Sequence, residues 1–256
     1  MPLDESNSAT LGAWAASTFV LWGLLYPFYK STKIFKEKAA LAAFNTAHLM
    51  PILALCYYGL MRLDFVTQQP EQLDERMYGF DAAAEKICVI QMALQIYVTT
   101  AALATRDPSL LKPELLAHHS VTFILMWLCL HPFAHSRVGI FFGLTEISTV
   151  PLMTLDMFKQ FKGLGERYPL CDMLSKLTFS LSFLVLRVVL TSVVSYEFQR
   201  DLYEIYTSGR AHSVPAVAFM SIANLFVCCL QFYWSTLIVK GVMKMVRGGG
   251  RGKKAA

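Results

Sequence analysis

Charge is scarce in this chain. Of its 256 residues, 16% are Asp, Glu, Lys or Arg, where an ordinary soluble domain carries about 25%. Six cysteines are present, and none has the spacing of a metal site. Five of them (Cys56, Cys88, Cys129, Cys228 and Cys229) sit in apolar runs, where they read as small fillers rather than as a disulfide framework. There is no nucleophile elbow, no phosphate-binding loop and no glycine fingerprint for a dinucleotide. These absences remove the common soluble hydrolase, nucleotidase and dehydrogenase classes. They also imply no bound cofactor.

What the chain has instead is long apolar runs. Seven approach or exceed the roughly 18 residues that read as a membrane span. They cover 11–29, 39–61, 87–105, 115–134, 138–155, 177–196 and 214–239. The fourth and fifth are the least distinct, because His131 and His135 lie at their junction. The expected fold is an all-α polytopic membrane protein with about seven transmembrane helices. The segment MPLDESNS is acidic and the first run is long, so that run reads as an anchor rather than a cleaved leader.

Basic residues mark cytosolic loops. Counting alternate segments, sixteen of the 23 Lys and Arg fall on one side and six on the other, with Arg187 inside a span. The bias predicts a lumenal N-terminus and a cytosolic C-terminus. The tail carries Lys253 and Lys254 at the third and fourth positions from the end, which resembles a di-lysine retrieval signal of the endoplasmic reticulum. The RGGGRG before it reads as a spacer. Its charges read as a topology determinant, not a nucleic-acid site.

Polar residues inside the runs recur at helical steps. Examples are Gln91, Gln95 and Thr99; His118, His119 and Thr122; Ser180, Arg187 and Thr191; and Ser221, Asn224, Cys228, Gln231 and Ser235. Glu146 with Thr149, and Asn45 with His48, form two shorter sets. Such spacing puts each set on one side of its helix. Six helices with polar stripes predict a ring around a shared polar interior, with the first helix outside. Bonding between neighbouring helices is the plainer reading of any single stripe.

Depth follows from a rise of about 1.5 Å per residue. His119 lies about 9 Å from the cytosolic helix end, His48 about 15 Å, and Glu146 and Arg187 about 16 Å. An isolated charge at that depth is costly, so Glu146 and Arg187 are expected to bond directly or through water. The pair serves either as a strut or as part of a head-group site. His118 and His119 either fix helix packing or supply a base or nucleophile. Adjacent imidazoles diverge by about 100° on a helix, which disfavours a shared metal ion. His131, His135 and His212 are expected near the lumenal surface and solvated. Pro151 should kink the fifth helix. Gly139 and Gly143 make a small-xxx-small step that permits close helix packing.

These residues together resemble the TLC-domain family, which includes ceramide synthases, translocating-chain-associated proteins and small TLC-domain-containing proteins. The resemblance rests on His118-His119-Ser120-Val121-Thr122, on Asn45-Thr46-Ala47-His48, on Glu146-Ile147-Ser148-Thr149-Val150-Pro151 and on Leu186-Arg187-Val188. It implies a TLC domain over 36–242, after a lumenal tail and first helix (1–35) and before a basic cytosolic tail (243–256). It implies six helices in a barrel around a lipid-accessible cavity, in the endoplasmic reticulum. By analogy with ceramide synthases, His118 or His119 would attack or deprotonate, with Glu146 as orienting partner. Acyl-CoA would be co-substrate and a membrane lipid the acceptor. His48, Thr122, Ser148, Thr149, Arg187, Gln91, Gln95, Asn224 and Gln231 would line the lipid cavity. Where ceramide synthases carry His-Asp-x-Ser-Asp, this chain reads Thr145-Glu146-Ile147-Ser148-Thr149. A non-catalytic lipid-binding, trafficking or membrane-composition role is the alternative.

Overall fold

The computed structural model describes residues 4–248 apart from position 109. Lys253 and Lys254 lie outside the described residues. Within them the chain is helical and no strand occurs. It crosses from end to end seven times.

The crossings are α1 (Glu5–Ser31), α2 (Ala39–Leu60), α4 (Ala82–Thr105), α5 (Pro113–Cys129), the composite α6–α7 (His135–Gln160), the composite α9–α10 (Pro169–Thr207) and α11 (Val214–Gly248). Short helices α3 (Leu73–Tyr78) and α8 (Lys162–Arg167) lie in connections. Six of the seven crossings are long and apolar enough to span a membrane. The remaining one, α5, has 17 residues and extends about 26 Å. It stops short of the expected position 134: the ladder ends at Cys129, just before Pro132, which cannot continue it, and Ala134 starts the α6–α7 crossing in a left-handed conformation (φ 56°).

Local sequence explains the ends. Asp4 and Asp81 cap α1 and α4 by accepting from the Asn7 and Ala84 backbone N–H groups at 2.6 and 2.7 Å. Pro113 opens α5, where its missing N–H costs nothing. The α6–α7 crossing is irregular. After α6 (His135–Val138), a π turn covers Gly139–Gly143 and a 3₁₀ stretch Leu144–Ser148, before α7 (Thr149–Gln160). Pro151 falls in the first turn of α7, and the ladder is interrupted just before it. A second π stretch, Phe183–Leu190, separates α9 (Pro169–Ser182) from α10 (Thr191–Thr207).

Six crossings close a ring. Neighbours run α2, α4, α5, α11, α9–α10, α6–α7 and back to α2. The last junction is tight: a Cβ added to Gly143 would come 2.5 Å from Gly59 Cα. Here a side chain at either position would push the two backbones apart. Helix α1 stands outside the ring. Its Phe19 and Trp22 rings meet Tyr97 of α4 edge-on at 5.2 and 6.0 Å, and Trp22 Nε1 donates to Ala40 O at 3.0 Å.

One end of the bundle carries Lys30, Lys33, Lys36, Lys38, Lys112, Lys159, Lys162 and Lys176 and is called the basic end. At the opposite end, buried ion pairs join the connections to the ring. Asp201 accepts from Arg76 Nη2 and Arg137 Nη2, both at 2.9 Å, and Arg137 Nη1 reaches Glu197 at 2.9 Å. Arg62 pairs with the capping Asp81. His135 departs from expectation here. It is buried, with 1% exposure. Its Nδ1 accepts from the Asp81 N–H at 3.0 Å, and its Nε2 lies 2.6 Å from Cys129 O. Two backbone partners replace water, because the connection folds inward over the ring. His212, by contrast, is exposed and stacks on Tyr78 at 3.7 Å.

Candidate functional site: a polar cluster inside the ring

The residues expected at the site come together in one section of the ring. Arg187 projects from the second π stretch, and π turns recur at functional sites because they re-aim a side chain. Its Nε donates to Ser148 Oγ at 2.7 Å, and its Nη2 reaches Thr149 Oγ1 at 2.8 Å and Glu146 Oε2 at 3.2 Å. Thr149 Oγ1 also donates to Glu146 Oε2 at 2.6 Å. Glu146, Ser148 and Thr149 thus grip a single guanidinium. The expected direct bond between Glu146 and Arg187 is present.

Helix α4 supplies the next layer. Gln91 Nε2 lies 3.4 Å from Glu146 Oε1, and one turn along, Gln95 Oε1 lies 2.6 Å from His119 Nδ1. An amide oxygen only accepts, so His119 carries its proton on Nδ1 in this arrangement. Its Nε2 is then left with a free lone pair. Glu146 bonds no imidazole. The orienting partner of His119 is Gln95, not the carboxylate that the family resemblance suggested.

His118 points another way. Its ring meets the Trp234 edge at 5.5 Å and stands 5.5 Å from the His119 ring. His48 lies against Phe44 and Tyr97, with ring centroids 5.5 and 6.3 Å away. Five buried polar atoms in this part of the ring have no protein partner: His48 Nδ1, Gln91 Oε1, His118 Nδ1, Thr122 Oγ1 and Gln231 Oε1. They come from α2, α4, α5 and α11. Each such group costs roughly 1–3 kcal/mol when left unbonded. Their concentration makes this section costly to the fold and receptive to a polar ligand.

A narrow slot of about 50 Å³ adjoins the cluster on the side away from the basic end. Leu125, Phe141, Phe142, Phe198 and Met220 make it apolar, while Thr145, Asn224 and Gln231 lie along it and Arg137 closes it. Of the expected cavity residues, Asn224 and Gln231 line it. His48, His118, His119, Thr122, Glu146 and Arg187 are not part of its wall, nor of the second cavity near the basic end. The α11 stripe also divides its duties. Asn224 Nδ2 donates to Ser195 Oγ at 3.1 Å, and Ser221 and Cys228 bond Gln199 and Ser195 of α10. Those residues join helices, as the plainer reading had it, and Gln231 is the member left free.

Sequence reasoning missed Trp234, which shields His118, and the Arg137–Asp201 group that closes the slot. An aromatic one turn beyond Gln231 on the same stripe would have pointed to the former. No local signal pointed to the latter.

A profile of the TLC domain matches residues 38–240. No curated protein and no solved structure matches the chain. Seven crossings, a closed six-member ring and the matched span agree: this chain is a membrane protein of the TLC-domain family.

Proposed function

We propose that this protein handles membrane lipid in the endoplasmic reticulum, holding an acyl chain in the apolar slot and its polar group at the histidine cluster. The activity assigned to that site is acyl transfer from acyl-CoA to a lipid amine or hydroxyl. The observation that carries the reading is His119, with Nδ1 engaged by Gln95 and Nε2 free to take a proton. In the reaction the acceptor nitrogen or oxygen forms a bond to the thioester carbonyl. His119 Nε2 removes its proton. The carbon–sulfur bond breaks, and the proton passes to the departing coenzyme A thiolate. A lumenal N-terminus is supported by the basic-residue bias.

A second reading is a non-catalytic lipid-binding protein that adjusts membrane composition. It is favoured by Glu146, whose charge is spent on Arg187 rather than on an imidazole.

Purified full-length protein in lipid nanodiscs, given labelled palmitoyl-CoA and a panel of amine and alcohol acceptors, separates the two. Acyl transfer by the native protein, reduced by about 100-fold or more in His119→Ala, is the outcome expected of the enzyme. No transfer to any acceptor, with lipid retained by native protein and lost from His119→Ala, selects the binding protein.

A further inference from the structure

The second cavity lies at the basic end, between α7, α9 and α11. It is an open groove of about 550 Å³. Its deeper wall is apolar, made by Leu155, Phe179, Leu237 and Ile238. Three lysines rim it, one from each helix: Lys159, Lys176 and Lys244. Lys159 reaches Asp156 at 3.6 Å and Lys176 reaches Asp172 at 2.5 Å. Lys244 has no anionic partner among the described residues. The rim therefore carries one uncompensated positive charge. Gly241 faces the groove, and a Cβ there would meet nothing within 4 Å.

We propose that this groove binds an anionic phospholipid taken from the surrounding leaflet. Its phosphate lies among the three lysines, and one acyl chain runs inward along Phe179 and Ile238. Charge and depth select this occupant. A span's end sits at head-group level, where lysine stems reach along apolar surface and their ammonium groups meet phosphate. The wall below offers hydrocarbon contact and no hydrogen-bonding side chain beyond Ser180, whose hydroxyl already donates to Lys176 O. That suits a fatty chain and not a folded protein partner. The groove also leads toward the site: Phe179 shares a packed cluster with Trp234, the residue that covers His118. The proposal stands apart from the acyl-transfer reading, because it concerns binding alone.

The test is native mass spectrometry of full-length protein titrated in detergent with dioleoyl phosphatidic acid, dioleoyl phosphatidylcholine or palmitoyl-CoA. Native protein should retain phosphatidic acid at least 10-fold more tightly than phosphatidylcholine. The triple variant Lys159→Gln, Lys176→Gln, Lys244→Gln should lose that preference. A control triple variant, Lys30→Gln, Lys33→Gln, Arg106→Gln, removes three charges from the same end outside the groove and should keep it. Gly241→Leu fills the groove without altering charge and should weaken binding about 10-fold, with an unchanged unfolding temperature. Equal losses in both triple variants would reduce the effect to general surface charge and overturn the site. So would full binding in Gly241→Leu, or retention of palmitoyl-CoA without phosphatidic acid.

Discussion

Two groups of charges are buried in this bundle, and they are built differently. At the end opposite the basic one, Arg76, Arg137, Glu197 and Asp201 set two positive charges against two negative ones, with Asp201 wholly buried. In mid-ring, Glu146 and Arg187 form one pair, tied to Ser148 and Thr149 and flanked by unbonded imidazole, amide and hydroxyl atoms. The first group joins segments far apart in the chain: α3, α6 and α10. The second joins two neighbouring crossings at places where both helices are deformed. A group that only holds the fold together is expected to satisfy its members. One that leaves polar atoms unbonded is expected to be kept for a ligand. The contrast is one of degree: the first group leaves Arg137 Nε unbonded, while five unbonded atoms flank the second, and that excess marks the site off from the scaffold.

The largest effect should come from the scaffold. Asp201→Asn leaves two buried guanidinium groups short of a counter-charge, which costs about 3–5 kcal/mol. The unfolding temperature of the purified protein should fall by about 10 °C. A fall no larger than that of Glu197→Gln, whose own carboxylate is half-exposed, would mean that water already screens the Asp201 pairs. The mid-ring pair should be less costly to break. Arg187→Met leaves Thr149 and Gln91 beside Glu146 to bond its carboxyl group, so the loss should be about 1–3 kcal/mol. Adding Glu146→Gln should recover most of it, because no buried charge then remains. If the double variant is as unstable as the single one, the hydroxyl contacts of Arg187 rather than its charge hold this section.

Much of this contrast was legible in the sequence, and the reasons for the gaps are physical. An α-helical rise of about 1.5 Å per residue placed positions 146 and 187 at similar depth before any coordinates. Periodicity of 3.6 residues located the polar stripes, and the ring followed. What a stripe touches is not periodic. Asn224 and Gln231 share a face, yet Asn224 is bonded across to α10 while Gln231 is not. His135 reads as a solvated loop residue, and Arg76 and Arg137 lie outside the apolar runs; burial of a connection depends on how it folds back, which no local pattern records. The π stretches around Gly139–Gly143 and Phe183–Leu190 have no residue signature either. Those stretches decide where Glu146 and Arg187 point. Which polar residues come together was therefore readable, while their mutual contacts were not.

The smallest predicted effect is the most discriminating, because its sign is opposite for a scaffold and a site. Thr122 is 1% exposed, and its hydroxyl has no protein partner. Thr122→Val keeps the shape and removes the unbonded oxygen. In a section built only for stability, that hydroxyl would be bonded, and its loss would cost about 1 kcal/mol. In a section held open for a polar ligand, the valine relieves a penalty and should stabilise the free protein by about 1 kcal/mol. The same variant should retain less lipid after purification, since one of the groups meeting the ligand's polar part is gone. Thermal unfolding of delipidated protein and mass spectrometry of the co-purified lipid read the two quantities separately. A lower unfolding temperature with unchanged lipid would return Thr122, one turn beyond His118 and His119, to the scaffold.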